Sequence, residues 1–434
     1  MRTMNVQHVL DHSKFNKFNW TVLIWCSLII IFDGYDLAVA GAAIPSIMKE
    51  MGVNPTNAGF MMSSALFGMM FCAIYLGSLS ERIGRRKAIA ICIALFSVFT
   101  AVAGLCTEPI SFSIARFLAG LGIGGVLPNV VAHMSEYSPR RIRSTMVTLM
   151  FSGYAVGGML AAVLGKGLIE AYGWQWVFFA AAVPVLLIPF MLKSLPESIT
   201  YLIKHDHMEE AGKVLEQLDP TYTYQAGDDL HLPMAPKGKK ATVGELFRDG
   251  RGFSTVMFWI SFFMCLFMVY ALSSWLTKLM ASAGYSLGSA LTFVLVLNFG
   301  AMVGAIGGGF LADRFNIRYV QFVLFILAAV SITALGYPLP LPLLYLTVAA
   351  AGASTIGTQL VTYAYVGQYY PADMRSTGIG WASGIGRMGA ILAPIVIGVL
   401  VAMNLPLTVN FMVIGLPALV SAVAILLIKD PKPH

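Results

Sequence analysis

Four ionisable residues lie inside stretches of sequence that are otherwise apolar: Asp33, Asp36, Arg116 and Arg387. Asp33 and Asp36 are three residues apart, which on a helix puts both carboxylates on one face. Two carboxylates that close in a low-dielectric setting resist carrying two charges at once, so one of them can take up and release a proton. Arginine keeps its charge and can hold a carboxylate through two parallel hydrogen bonds. Together these groups suit a path for protons and a small anion. Arg116 is read as partner to an aspartate, with a grip on the anion or a structural plug as alternatives. No acid of its own half lies at the depth of Arg387. Its partner is therefore an incoming carboxylate, an aspartate across the molecule, or backbone carbonyls.

A second group is less specific. His133 can pass protons, although a hydrogen-bonded structural histidine explains it as well. Asn129, one turn away, can contact an anion. Asn298 has no local reason to sit in an apolar stretch, which suggests a pore-facing hydrogen bond. Tyr270, Trp275, Tyr363 and Trp381 can stack on an aromatic ring or donate to it, but each can equally be packing in a chain with 12% aromatic residues.

The elements that must hold these residues are membrane helices. The chain is 58% hydrophobic and 11% charged, against about 25% charged residues in a soluble domain. Twelve apolar stretches are long enough to span a bilayer: 20–41, 58–78, 88–106, 110–135, 145–168, 176–193, 254–276, 289–312, 320–337, 343–368, 377–402 and 408–428. With the N-terminus in the cytoplasm, every Lys and Arg falls on the inner side except Lys49, Lys166, Lys278, Arg116 and Arg387. This positive-inside bias sets the orientation, with both termini cytoplasmic. It also assigns the +7 net charge to short inner loops that face anionic membrane lipids, and to no nucleic acid. The N-terminus lacks the order of a cleavable signal peptide, so the first span is expected to be its own insertion signal. The five cysteines show no paired spacing, so neither a disulfide framework nor a metal site is expected. No Walker-type lysine follows a Gly-rich loop, and no cofactor or enzymatic site is expected.

The longest polar stretch divides the spans six and six. The expected organisation is a first bundle over 1–193, a cytoplasmic segment over 194–252 and a second bundle over 253–434. Within the segment, Ala211, Val214, Leu215 and Leu218 share a helical face. The part through Gly227, Asp228, Asp229 and the Lys237–Lys240 run reads as a flexible linker. The halves repeat at an offset of 309 − 77 = 232 residues. That offset pairs Gly77 with Gly309, Gly120 with Gly352, Pro139 with Pro371, Arg143 with Arg375, and Gly157 with Gly389. A parallel repeat of two six-helix bundles follows, with a site between them near the midplane. Asp33 and Asp36 map by that offset onto Cys265 and Met268, so the chemistry is asymmetric across the repeat.

The run Gly77-x-Leu79-x-Glu81-Arg82-x-Gly84-Arg85-Arg86-Lys87 resembles the loop motif of the major facilitator superfamily after its second helix. Gly309-x-Leu311-Ala312-Asp313-Arg314 resembles the degenerate copy after the eighth, and the resemblance covers the whole chain. It implies an all-α membrane protein with the major facilitator fold, generally monomeric. Glu81, Arg82, Arg85, Arg86 and Glu136, with Asp313 and Arg314 in the second half, are then an inner-face latch. Asp33-Gly34-x-Asp36 is similar to the first-span motif of the aromatic acid:H+ symporters in that superfamily. Three further stretches are similar to its benzoate-type members: Phe151-Ser152-Gly153-Tyr154-Ala155-Val156-Gly157-Gly158, Tyr270 to Trp275, and Ser376 to Arg387. The resemblance implies uptake of a benzoate-like carboxylate with a proton. A transporter of another carboxylate or a 4-hydroxybenzoate-type acid, a drug exporter, and a non-transporting sensor of aromatic acids are the alternatives.

Overall fold

The computed structural model describes residues 3–75, 79–139, 141–219, 222–225, 228–231, 242–371 and 374–429. Its frame is a set of twelve long helices. The first six are Lys17–Met51, Pro55–Tyr75, Arg85–Ala103, Pro109–Tyr137, Arg143–Tyr172 and Gln175–Ser194. The second six are Gly252–Ser282, Leu287–Arg314, Ile317–Ala334, Leu341–Tyr369, Arg375–Ala402 and Leu407–Leu427. Eleven are long and apolar enough to cross a membrane, counted over the described residues. The twelfth, Pro55–Tyr75, has 21 residues and no charged one, about 31 Å of helix at ~1.5 Å per residue. Large apolar side chains face outward along the bundle, as with Ile110 at 74% exposure. In water such a surface would be a liability; against lipid tails it costs nothing.

The repeat is visible in the backbone. A Cβ added to Gly120 would run into the carbonyl of Ala65, and one added to Gly68 into that of Phe117. In the second half, Gly352 meets the carbonyl of Leu297 and Gly300 that of Ala349. Gly157 lies against the carbonyl of Ile31, and Gly389 against that of Phe263. Both members of each contact shift by the same 232 residues. Small residues permit this approach, which packing in lipid depends on.

The first helix begins at Asn16, whose side chain accepts from the amides of Phe18 and Asn19. The same side chain donates to the carbonyls of Gln217 and Leu218, each at 3.0 Å. This ties the middle segment to the first half. That segment carries two helices, Ile199–Lys204 and Met208–Leu218, with Ala211, Leu215 and Leu218 buried. One sequence expectation is corrected here. Asp229–His231 is not linker but a strand, paired in parallel with Thr3–Asn5. Leu230 is buried with Val6 and Leu10, and Asp228 accepts from the Tyr222 hydroxyl and the Gln225 amide. Burial of one leucine and pairing with a strand far away in sequence outweigh the local turn composition. Gly227 and Lys237–Lys240 lie outside the described residues. On the far side, a short turn at Val243–Phe247 buries Leu246 and is held by the Thr255 hydroxyl, 2.9 Å from the Leu246 carbonyl.

An even number of spans puts both chain ends and the middle segment on one face. Contacts between the halves concentrate toward the opposite face. Gly41 abuts the carbonyl of Ser273, Gly59 that of Pro394, and Gly398 that of Pro55. The Ser63 hydroxyl donates to the Ile391 carbonyl at 2.6 Å, and Lys166 reaches the Thr292 hydroxyl at 3.3 Å.

Candidate functional site

Asp36 and Arg116 form a pair inside the first half, both almost fully buried. Arg116 Nη1 donates to Asp36 Oδ2 at 3.2 Å and to Thr100 Oγ1 at 2.9 Å, and Nη2 donates to the Asp36 carbonyl at 3.1 Å. The guanidinium also sits 5.9 Å from the centre of the Phe178 ring. The hydroxyl, carbonyl and ring give the guanidinium its further partners, as a buried charge pair needs, whereas Asp36 Oδ1 is buried without one among the described residues.

Asp33, one turn toward the terminal face, is placed differently. It is 2% exposed and its Oδ1, like that of Asp36, has no hydrogen-bond partner, but unlike Asp36 it forms no ion pair among the described residues. The charges that act on it are Asp36 and, from the other half, Arg387. Arg387 donates to the carbonyl of Met69 at 3.3 Å, so it too bridges the halves. Two tyrosines face each other there, Tyr154 from the fifth helix and Tyr270 from the seventh, and both line the cavity between the halves. Tyr363, within reach of Tyr270 and Arg387, is hydrogen-bonded to Ser383 at 3.0 Å. Between the halves lies a cavity of about 50 Å³, lined among others by Gly34, Arg116, Tyr154, Tyr270, Ser273 and Asn298. Ligand pockets usually measure roughly 300–1,000 Å³, so this site is collapsed.

The remaining candidates divide by place. Asn298 lines the cavity; its amide donates to the Val294 carbonyl at 2.9 Å and its oxygen lies over Gly158, which has no side chain to obstruct it. Asn129 lines a separate opening of about 270 Å³ toward the terminal face, with Arg85, Ser198, Tyr201 and Lys204. His133 is fully buried against Tyr137, at 5.1 Å between ring centres, and neither ring nitrogen is hydrogen-bonded. It lies seventeen helical positions from Arg116, about 25 Å along the axis, so the structure does not bring it to the aspartates. Trp275 and Trp381 are not at the cavity either. Trp275 is buried with its indole donating to the Pro394 carbonyl at 3.0 Å, at the seal between the halves. Trp381 is 45% exposed and stacks on Trp259 at 6.1 Å. Packing explains the first and surface anchoring the second.

The latch residues gather on the terminal face of the first half. Arg85 pairs with Glu136, which also accepts from the Ser198 hydroxyl at 2.9 Å and from the Thr200 amide at 2.8 Å. The Arg86 amide donates to Glu197 at 3.0 Å, and the Tyr201 hydroxyl to the Arg82 carbonyl at 3.4 Å. Glu197 is thus a further clamp on this face, one not assigned to the latch from the sequence. Gly77 and the side chain of Glu81 lie outside the described residues. In the second half Asp313 is exposed and Arg314 stacks on Phe310 at 4.7 Å. Tyr154 is the other residue missed. Its signal was available: an aromatic set among the glycines of a helix at the bundle interface.

Two bundles of six helices, a repeat in parallel and a charged site shared at the midplane define a membrane transporter. The family model of the Major Facilitator Superfamily matches residues 26–362 and 308–434, and the chain belongs to that superfamily. The chain is 46% identical, over its whole length and 94% of the relative, to the benzoate transport protein of Acinetobacter baylyi. It is 33% identical to the gallate transporter of Pseudomonas putida, over 98% of the chain and 94% of that protein. Among solved structures, the partially occluded inward-open xylose transporter XylE of E. coli matches with a TM-score of 0.75 at 17% identity, covering 96% of this chain and all of the other. That likeness shows the fold.

Proposed function

We propose that the protein imports a benzoate-like aromatic carboxylate together with a proton across the bacterial inner membrane, by alternating access. The observation that carries this is the setting of Asp33. Its buried carboxylate has no ion pair among the described residues and feels an arginine from the other half, and it adjoins Gly34 and acts on Tyr154, which line a cavity that both halves share. Such a group has room to receive a proton, and Arg387 has donors for an anion. The names of the relatives, which include benzoate, gallate and gentisate transporters, support the substrate class.

The terminal face is cytoplasmic in this reading, following the lysines and arginines. The seal on the opposite face then closes the site to the outside. Protonation of Asp33 and arrival of the anion at Arg387 together remove the electrostatic attraction between the two halves at this level. The halves rock, the Arg85–Glu136 latch yields, and both ligands leave inward. Arg387, Tyr270, Asn298 and Tyr363 contact substrate, and Asn129 lines its way out. Asp36 with Arg116 holds the first helix in place.

The test is uptake of labelled benzoate into proteoliposomes under an inward proton gradient. Concentrative uptake that collapses with a protonophore is expected. Equal uptake with and without the gradient removes the coupling, and competition by non-aromatic carboxylates but not benzoate removes the substrate class.

A further inference from the structure

The motif glycine between the two aspartates has a partner. A Cβ on Gly34 would run into the backbone carbonyl of Tyr154. Gly157, one turn further along the fifth helix, lies equally close to the first helix at Ile31. These two glycines press the helices together and leave the Tyr154 side chain facing the cavity beside Asp33. From the other half, Tyr270 lines the same cavity, so the two tyrosines face each other across the boundary between the halves.

Each tyrosine hydroxyl has one proton to donate. A carboxylate entering beside Arg387 can take both, one from each half. We infer that Tyr154 and Tyr270 are the substrate-carboxylate clamp. The anion accepts one bond from each half, and the two bonds draw the halves together around it. This rests on the import reading above and adds to it a specificity rule: the site selects for a negative carboxylate through hydroxyls from opposite halves, with the ring lying between the tyrosines. A neutral amide of the same shape forfeits part of this, because its NH2 group cannot accept a hydroxyl proton.

The experiment compares wild type, Tyr154→Phe and Tyr270→Phe in proteoliposome counterflow of labelled benzoate, with unlabelled benzoate and benzamide as competitors. Phenylalanine keeps the ring and its packing and removes only the hydroxyl. Each variant is expected to raise KM for benzoate about tenfold with little change in maximal exchange, in line with the loss of one hydrogen bond to a charged group. The preference for benzoate over benzamide should narrow by a similar factor. That ratio does not depend on how much protein inserts, so a poorly expressed variant still gives a reading. A benzamide ratio and KM equal to wild type in both variants would overturn the clamp while leaving import intact. If wild type itself exchanges no benzoate, the import reading falls and the clamp falls with it.

Discussion

Asp33 and Asp36 sit one turn apart on one helix and live in opposite circumstances. Asp36 is bound within its own half by an arginine that is itself fixed by Thr100 and a backbone carbonyl. Each keeps an Oδ1 without a partner, but Asp33 has no ion pair among the described residues, and the arginine whose charge acts on it belongs to the other half. A charge pair inside one rigid body is untouched when the bodies rock. A pair spanning two bodies changes distance with every cycle. The first arrangement suits a structural role and the second suits the proton carrier of the proposed cycle.

The largest effect comes from breaking the closed pair. Arg116→Ala leaves Asp36 buried without its counter-charge, which costs about 3–5 kcal/mol in comparable buried pairs. Thermal unfolding in detergent should show a large loss of stability, and both uptake and counterflow should vanish. A stable, active Arg116→Ala protein would mean that the pair is not structural.

Asp33→Asn should do something different in kind. Asparagine fills the same space and carries no titrating proton, so the fold should persist. Accumulation under a proton gradient should fall to the level reached without one, while counterflow of labelled benzoate continues. Loss of both modes together would make Asp33 as structural as Asp36 and erase the contrast between them.

The contrast between the aspartates was only half legible in the sequence. The spacing of Asp33 and Asp36 put them on one face, and the low charge content put that face in a membrane. The repeat offset was equally plain, and the Gly120–Ala65 and Gly352–Leu297 approaches obey it to the residue. Which arginine meets which aspartate was not readable, because it depends on how whole helices pack. Arg116 reaches Asp36 from eighty positions along the chain, and Arg387 comes from the other half. Leu230 was misread for the same reason: its strand partner, Met4, lies at the far end of the first half. Tyr154 stood in a glycine run whose packing meaning was visible, but nothing local said that it would line one cavity with Tyr270 of the other half.

A smaller effect separates the two arginines. Arg387 is described with one hydrogen bond, to the Met69 carbonyl, whereas Arg116 uses both terminal nitrogens on three acceptors. Lysine supplies charge without the planar fork. Arg387→Lys should therefore keep transport, with KM for benzoate raised about tenfold by the lost second contact to the carboxylate. Arg116→Lys should behave much more like Arg116→Ala. Equal severity of the two lysine variants in transport assays would show that Arg387 is locked as tightly as Arg116.

The smallest effect tests how the closed pair is held. Thr100 is fully buried, and its hydroxyl oxygen accepts from Arg116 Nη1 at 2.9 Å. Thr100→Val keeps the shape and removes that acceptor. Nη1 still has Asp36 Oδ2 and Nη2 still has the carbonyl, so the arginine is not orphaned. The cost should be about 1.5 kcal/mol, the low end for a hydrogen bond to a charged group, seen as a modest drop in thermal stability with KM and proton coupling unchanged. Altered coupling would instead tie the Asp36–Arg116 pair to the proton cycle. The division of labour between the aspartates would then be one of degree, with Thr100 setting how readily Asp36 lets its arginine go.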